Sequence, residues 1–331
     1  MNNLEAIVNR FPSAKVAVFG DVMLDKFTYG TVNRVSPEAP VPVVDIAYSE
    51  DRLGGCGNVA SNLAAFGSSV LLFGVIGHDK EAASIEEILK AQKITSRLLK
   101  TKRPTTTKHR IIAHKQQIVR VDAESRAPIS NEDEEEVLKM ARSAAKDVAI
   151  FILSDYAKGF LTDKLCQDII KIAHEIGKPV IVDPKAPFSK YSGASMITPN
   201  FEEFRRYGNA SADRDPAAMA IHAARMMRDF RIGRLLVTMG EHGMVLFENG
   251  RFVKVDALKN GYDVIDITGA GDTAIAAFAL AIASGADHSQ AMRLANFAAG
   301  VVVTKFGTAT CSPGELTSIL RSDDSHTEVV L

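Results

Sequence analysis

Six short runs built almost wholly of apolar residues recur along this 331-residue chain. They are KVAVFG (15–20), VLLFGVIG (70–77), VAIFILSD (148–155), PVIVD (179–183), ASMITPN (194–200) and RLLVTMG (234–240). A strand with one wet face alternates apolar and polar residues, so unbroken runs predict strands buried on both faces. Stretches with helical spacing separate them, at 81–92, 132–146, 162–177 and 215–230. The alternation predicts βαβ units and an α/β fold, a doubly wound, mostly parallel sheet flanked by helices. An apolar share of 46% is enough to cover both faces of such a sheet. Several runs end in a polar residue or a glycine: Gly20-Asp21, Ser154-Asp155, Asp183, Asn200 and Gly240. Ligands of open α/β sheets bind beyond the carboxyl ends of the strands, so these termini are the first site candidates.

Two segments break the pattern. Residues 27–48 and 104–122 carry β-branched residues in partial alternation and read as antiparallel strands, a small sheet attached to the main one. Pro40 and Pro42 suit its edge, where a missing N–H costs least. One domain is expected over 1–318 and a loose tail over 319–331. A formal net charge of -1 and a pI near 6.7 argue against a general nucleic-acid or membrane-surface binder and for a small ligand. Cys56, Cys166 and Cys311 are scattered and lack CxxC spacing, so neither a disulfide framework nor a zinc site is indicated and a reducing cytoplasm fits best. The N-terminal residues lack the basic and apolar regions of a signal peptide, and no run approaches the length of a membrane span.

The stretch DITGAGDT (266–273) lies between a strand-like run, YDVI, and the Ala-rich AIAAFALAIASGA. Glycines there bare the backbone, and the free N–H groups and dipole of a helix start suit an anion. Asp272 is then either a helix-start residue or a base beside a phosphate. A second glycine cluster, LGGCGNVASNLAAFG (53–67), leads into another helix. Both clusters contain GxGxxA, a weak sign of dinucleotide binding, and Asp79 stands where a ribose-binding acid would be expected after the first. Asp21 and Asp25 read either as turn carboxylates or as acceptors for sugar hydroxyls. TPNFEEF (198–204) is either a capping box of Asn200 and Glu203 or a magnesium site acting through water. No Walker sequence, HExxH or GxSxG occurs.

GGCGN, NFEE, VTMGEHG and DITGAGD, in this order, resemble the ribokinase/PfkB family of sugar kinases over nearly the whole chain. GDVMLDKF, NRVSPEAPVPVV, TKHRIIAHKQQIVRVD, LSDYAKG, VDPK and KFGTATCSP look more narrowly like the kinase domain of bacterial heptose 7-phosphate kinases. Many of those carry a fused nucleotidyltransferase. Cys56 departs from the small residue usual at its position. The resemblance implies a ribokinase-like fold with an antiparallel β-lid. It implies ATP-dependent phosphorylation of D-glycero-β-D-manno-heptose 7-phosphate at O1, a step towards ADP-heptose for lipopolysaccharide. Asp272 would be the base, and Gly269, Ala270 and Gly271 the anion hole. Asp21, Gly54, Gly55 and Asn58 would hold sugar hydroxyls, with Lys108, Arg110 and Arg120, and Arg34 near them, receiving the substrate's phosphate. Lys185, Asn200, Glu203, Thr238, Gly240, Gly243 and Asn296 would serve ATP, with Asn200 and Glu203 organising Mg2+ through water. A monovalent cation is a further candidate, and the lid a candidate homodimer surface. The rival readings are a dinucleotide-dependent oxidoreductase and a non-catalytic sugar or nucleotide sensor.

Overall fold

The computed structural model describes residues 3–114, 116–210, 213–258, 263–322 and 328–330. Its strands are β1 (Lys15–Gly20), β2 (Val22–Val35), β3 (Pro42–Gly55), β4 (Ser69–Ile76), β5 (Thr95–Lys100), β6 (Thr107–Ala113) and β7 (Gln116–Ala123), followed by β8 (Ile150–Ser154), β9 (Val180–Asp183), β10 (Met196–Ile197), β11 (Leu235–Thr238), β12 (Met244–Glu248), β13 (Arg251–Val255) and β14 (Glu328–Val330). The main sheet runs β14-β13-β12-β11-β10-β9-β8-β1-β4-β5. Its pairings from β11 through β1 to β5 are parallel, and the hairpin β12–β13 and β14 add antiparallel strands at one edge. All six apolar runs contain the strands expected of them.

The period-two geometry of a strand explains the two-sided core. Val16, Val18, Ile150 and Ile152 pack into one cluster, and the intervening Ala17, Phe19, Phe151 and Leu153 into the other. Phe19 stacks on Phe73 at 4.2 Å between ring centroids, which ties β1 to β4 on the second face. Helices Lys80–Ala91, Asn131–Ala144, Asp163–Glu175 and Pro216–Asp229 follow the expected ranges within a residue or two.

Three expectations need correction. YDVI is not a strand over its described residues 263–265: Ile265 and Asp266 both donate their N–H to the Val303 carbonyl, and Val264 and Ile265 are exposed, so no ladder forms. Tyr262 lies outside the described residues. The tail expected from 319 begins inside the helix Pro313–Ser322, and the backbone of 328–330 pairs with β13. The segment 194–200 forms only the two-residue β10, because Pro199 lacks an N–H and Asn200 caps the helix Phe201–Gly208.

The small sheet has the order β3-β2-β6-β7. Its hairpins β2–β3 and β6–β7 are antiparallel, whereas β2 on β6 is parallel. It begins earlier than the expected residue 27, since Val22 already pairs with Gly55 and Leu24 and Leu53 belong to the main core. Pro42 sits at the start of the edge strand β3, as its missing N–H requires.

Candidate active site

The carboxyl ends of β1 and β8 carry two buried acids, and both are used to shape one loop. Asp21 accepts from the backbone N–H groups of Tyr156 at 3.1 Å, Lys158 at 3.0 Å and Phe160 at 3.1 Å. Burial raises its pKa, and those three donors offset this only in part. Asp155 accepts from Ala157 N–H at 2.7 Å, from the Tyr191 hydroxyl at 2.6 Å and from Lys190 Nζ at 2.6 Å. Ala157 is held at φ +53. Asp21, the candidate acceptor for a sugar hydroxyl, is 3% exposed and accepts three N–H groups of the loop. The consequence is the placement of Tyr156, whose hydroxyl donates to Asp272 Oδ1 at 2.5 Å.

Asp272 lies in the first turn of the helix Ala270–Ala283. Asn58 Nδ2 donates to its other oxygen at 2.7 Å. Burial pushes the carboxyl up to about 6, against the hydrogen bonds of Tyr156 and Asn58 that favour the ionised form. That is a range in which a base works near neutral pH. The two glycines beside it do different jobs. Gly269, the N-cap, has φ +82, and a Cβ there would lie 2.6 Å from Asn58 Nδ2. Gly271 needs no unusual φ, and a Cβ on it would meet nothing within 4 Å, so it leaves room above the helix start. Of the three expected anion-hole donors, Ala270 N–H is already committed to the Ile267 carbonyl at 3.2 Å.

A cavity of about 180 Å³ opens from Asp272. Lys185, Asn200, Glu203 and Thr238 line it, as expected for the nucleotide side, together with Gly269 and Gly271. Gly240, Gly243 and Asn296 are not among its lining residues: Asn296 donates to the Asp256 carbonyl at 2.9 Å, and a Cβ on Gly243 would lie 2.0 Å from the Val255 carbonyl. Asn200 and Glu203 form a full capping box, and Lys185 Nζ meets Glu203 Oε1 at 2.5 Å. Asp183, which also lines the cavity, is pushed well above the usual range by burial and by the charges of Asp272 and Glu203. This crowding of negative charge fits a cation carried in with phosphates. Among the described residues no three His, Cys, Asp or Glu side chains form a metal ion's own ligand set.

The candidate phosphate-receiving cations lie on β6 and β7 of the small sheet. Arg110 Nη1 meets the buried Asp25 at 2.7 Å, and the guanidinium lies 5.2 Å from the Phe27 ring centroid. Arg120 grips Asp122 with Nε at 2.9 Å and Nη2 at 3.0 Å, and Lys108 lies 3.6 Å from Asp122. Arg110 and Arg120 stand opposite each other across β6 and β7, as Lys108 and Asp122 do. The expected cluster therefore exists, with each cation paired to an acid. Arg34 does not join it, since it is roughly 30 Å farther along β2 than Asp25 at about 3.4 Å per residue. Gly54 runs past Asp25 so closely that a Cβ would lie 2.4 Å from its Oδ2, and Gly55 starts the helix that carries Asn58. Asp155 and Asp183 are strand-end candidates to which the sequence assigns no role, and Tyr156 is not singled out by it. Their signal was their place at strand ends, which by itself does not say what they touch.

The dinucleotide reading loses both supports. Among the described residues no strand enters the turn at 269, and Asp79 caps the helix Lys80–Ala91 while accepting from Thr105 Oγ1 at 2.6 Å.

Residues 13–315 match the pfkB family carbohydrate kinase. The chain is 41% identical over 324 residues to the bifunctional protein HldE of Ectopseudomonas mendocina, which covers 97% of this chain and 67% of that protein. It is 42% identical over 312 residues to HldE of Halorhodospira halophila, covering 94% of this chain and 64% of that one. It thus spans about two thirds of the length of these relatives. Among solved structures, phosphofructokinase-2 from Escherichia coli in complex with potassium superposes with a TM-score of 0.78 at 17% identity, covering 93% and 98% of the two chains. Arabidopsis thaliana ribokinase complexed with ribose and ATP does so with a TM-score of 0.72 at 20% identity, covering 93% and 99%.

Proposed function

Because the chain belongs to the PfkB family of carbohydrate kinases, and so is an ATP-dependent sugar kinase, we propose that its substrate is D-glycero-β-D-manno-heptose 7-phosphate and its product the 1,7-bisphosphate. The observation that carries this reading is the position of Asp272, a buried carboxyl raised to about pKa 6 at a helix start that lines the cavity. Similarity to HldE over 97% of the chain supports the heptose.

In this reading the sugar's anomeric hydroxyl donates to Asp272, which takes its proton as the oxygen attacks the terminal phosphorus of ATP. The ADP oxygen leaves as that bond breaks. The free N–H of Gly271 and the helix dipole favour the charge that develops on the transferred group. Lys185 is within reach of the same cavity. When bound, magnesium, our choice of the divalent ion such a kinase requires, would neutralise phosphate charge there. Asp183, lining the cavity with no cationic partner at hydrogen-bond distance among the described residues, and Glu203 behind Lys185 are the acids that would face its waters. Asp25, Gly54 and Asn58 bound the sugar, and Arg120, by exchanging Asp122 for the substrate's phosphate, receives the far end together with Lys108 and Arg110. Exposed Val119 and Val121, on the face of the lid opposite Arg120, support a homodimer through that face. Three buried free cysteines agree with a cytoplasmic setting, and among the described residues no helix is long and apolar enough to cross a membrane.

The test is ADP release over a panel of sugars and sugar phosphates, with the phosphorylated carbon located by NMR. Heptose 7-phosphate should be preferred and modified at C1. Equal turnover of ribose or fructose would leave only the family assignment, and no turnover of any sugar would favour a sensor.

A further inference from the structure

We propose that Tyr156 is a positioning residue for the base: its hydroxyl, 2.5 Å from Asp272 Oδ1, holds the carboxylate in the orientation from which it accepts the sugar's proton. The inference rests on the reading of Asp272 as the base and adds what makes that base effective.

Three observations carry it. The loop that bears Tyr156 is over-determined: two buried acids from different strands, Asp21 and Asp155, spend their oxygens on its backbone N–H groups. Ala157 is kept in the left-handed region, a conformation unfavourable for a residue with a Cβ that persists only where the surroundings enforce it. The loop's neighbouring side chain, Lys158, points to Glu124 at 2.6 Å, so Tyr156 is the part of this structure that reaches the base.

The second observation is the division of acceptors. A carboxylate offers about four lone-pair sites, two per oxygen. Tyr156 takes one on Oδ1 and Asn58 one on Oδ2. Two donors on different oxygens fix the plane of the group and still leave each oxygen able to accept.

The third is that Tyr156 can only donate. Burial, and then the Asp272 charge, push its own ionisation well above the usual tyrosine range, so it does not replace Asp272 as proton acceptor. The charged and titratable groups facing Asp272 are Asp25 from β2, Cys56 from the helix Cys56–Ala65, and Asp183 and Lys185 at the end of β9. Asp25 disfavours a second negative charge, Lys185 favours it, and the Asp183 carboxyl and Cys56 thiol, whose ionisation burial opposes, leave the balance unchanged. The Tyr156 donor therefore works against the net push towards a protonated, inactive base.

The test is the pH dependence of kcat/KM for heptose 7-phosphate in the full chain with Tyr156→Phe. The ring and its packing stay, and only the donor is lost. The acid limb should move up by about one pH unit, kcat at pH 8 should fall roughly tenfold, and the ADP dissociation constant should stay within about twofold. Placing 3-fluorotyrosine at 156 gives a stronger donor of nearly the same shape and should move the limb the other way. It also serves if the phenylalanine variant does not fold. Limbs that coincide with wild type in both proteins overturn the role of Tyr156. Asp272→Asn, measured alongside, separates the two readings: if it is inactive while the Tyr156 limbs do not move, only the positioning role falls. If it keeps a normal kcat, the base assignment falls and this inference with it.

Discussion

Asn58 and Asp272 stand 214 residues apart in the chain and are joined by a 2.7 Å hydrogen bond inside the protein. A second tie runs parallel to it, Thr273 Oγ1 donating to Asn62 Oδ1 at 2.9 Å. The helix that begins where the lid strand β3 ends is thereby registered against the helix that carries the base. The position of Asp272 thus depends on contacts made by the helix that follows β3.

Gly269 and Gly271 should respond differently to a side chain. Gly269→Ala forces a methyl group towards Asn58 Nδ2 and opposes φ +82, so it should cost about 1 to 2 kcal/mol of stability as well as turnover. Gly271→Val meets open space and ordinary backbone angles, so it should fold within about 1 kcal/mol of wild type and yet lose phosphoryl transfer. Thermal unfolding and ADP release on both variants check this. A folded Gly271→Val protein with normal turnover would contradict a phosphate cradle.

Asp272 also predicts a pH-dependent stability. Burial raises its carboxyl from 3.8 to about 6, so the native state binds this proton more tightly than the unfolded chain does. The ionised form therefore destabilises the native state above pH 6, and that cost disappears as the pH falls below 4. Asp272→Asn removes it and should be more stable than wild type by about 1 to 3 kcal/mol at pH 8, with the gain shrinking towards zero near pH 4. Denaturant unfolding at the two pH values measures the difference. A gain that does not change with pH would place the effect elsewhere.

Much of this arrangement was legible in the residues. Unbroken apolar runs such as KVAVFG announce strands buried on both faces, and Val16 and Phe19 lie on opposite sides of the sheet accordingly. The motif around Asp272 marks the helix start at which that carboxyl is buried, and Asn200 with Glu203 forms the capping box that their spacing permits. What could not be read was long-range pairing. That Asp21 would serve a loop at 156–160 depends on β1 and β8 being neighbours in the sheet. That Arg110 would meet Asp25 depends on the parallel register of β6 on β2. YDVI misled because a short apolar run exposed beside a loop has the same letters as a buried strand.

The two lid arginines differ in burial and so in what their loss should do. Arg110→Ala leaves the carboxylate of Asp25 buried without its partner and should cost about 3 kcal/mol or more of stability together with activity. Arg120 is 46% exposed and pairs with a surface acid, so Arg120→Ala should change stability by less than about 1 kcal/mol. It should nevertheless lower kcat/KM for the sugar phosphate roughly ten- to a hundredfold while sparing unphosphorylated sugars. An equal loss on both classes would contradict a phosphate receptor at this position.

The account turns on Asp272 as the proton acceptor, and the most direct measurement is kcat of Asp272→Asn with heptose 7-phosphate beside its ATP dissociation constant. Asparagine keeps the shape and a hydrogen-bond acceptor but does not take up a proton at neutral pH. The account predicts a kcat lowered by roughly a hundredfold or more with ATP binding nearly unchanged. A variant that turns over the sugar at close to the wild-type rate would contradict it.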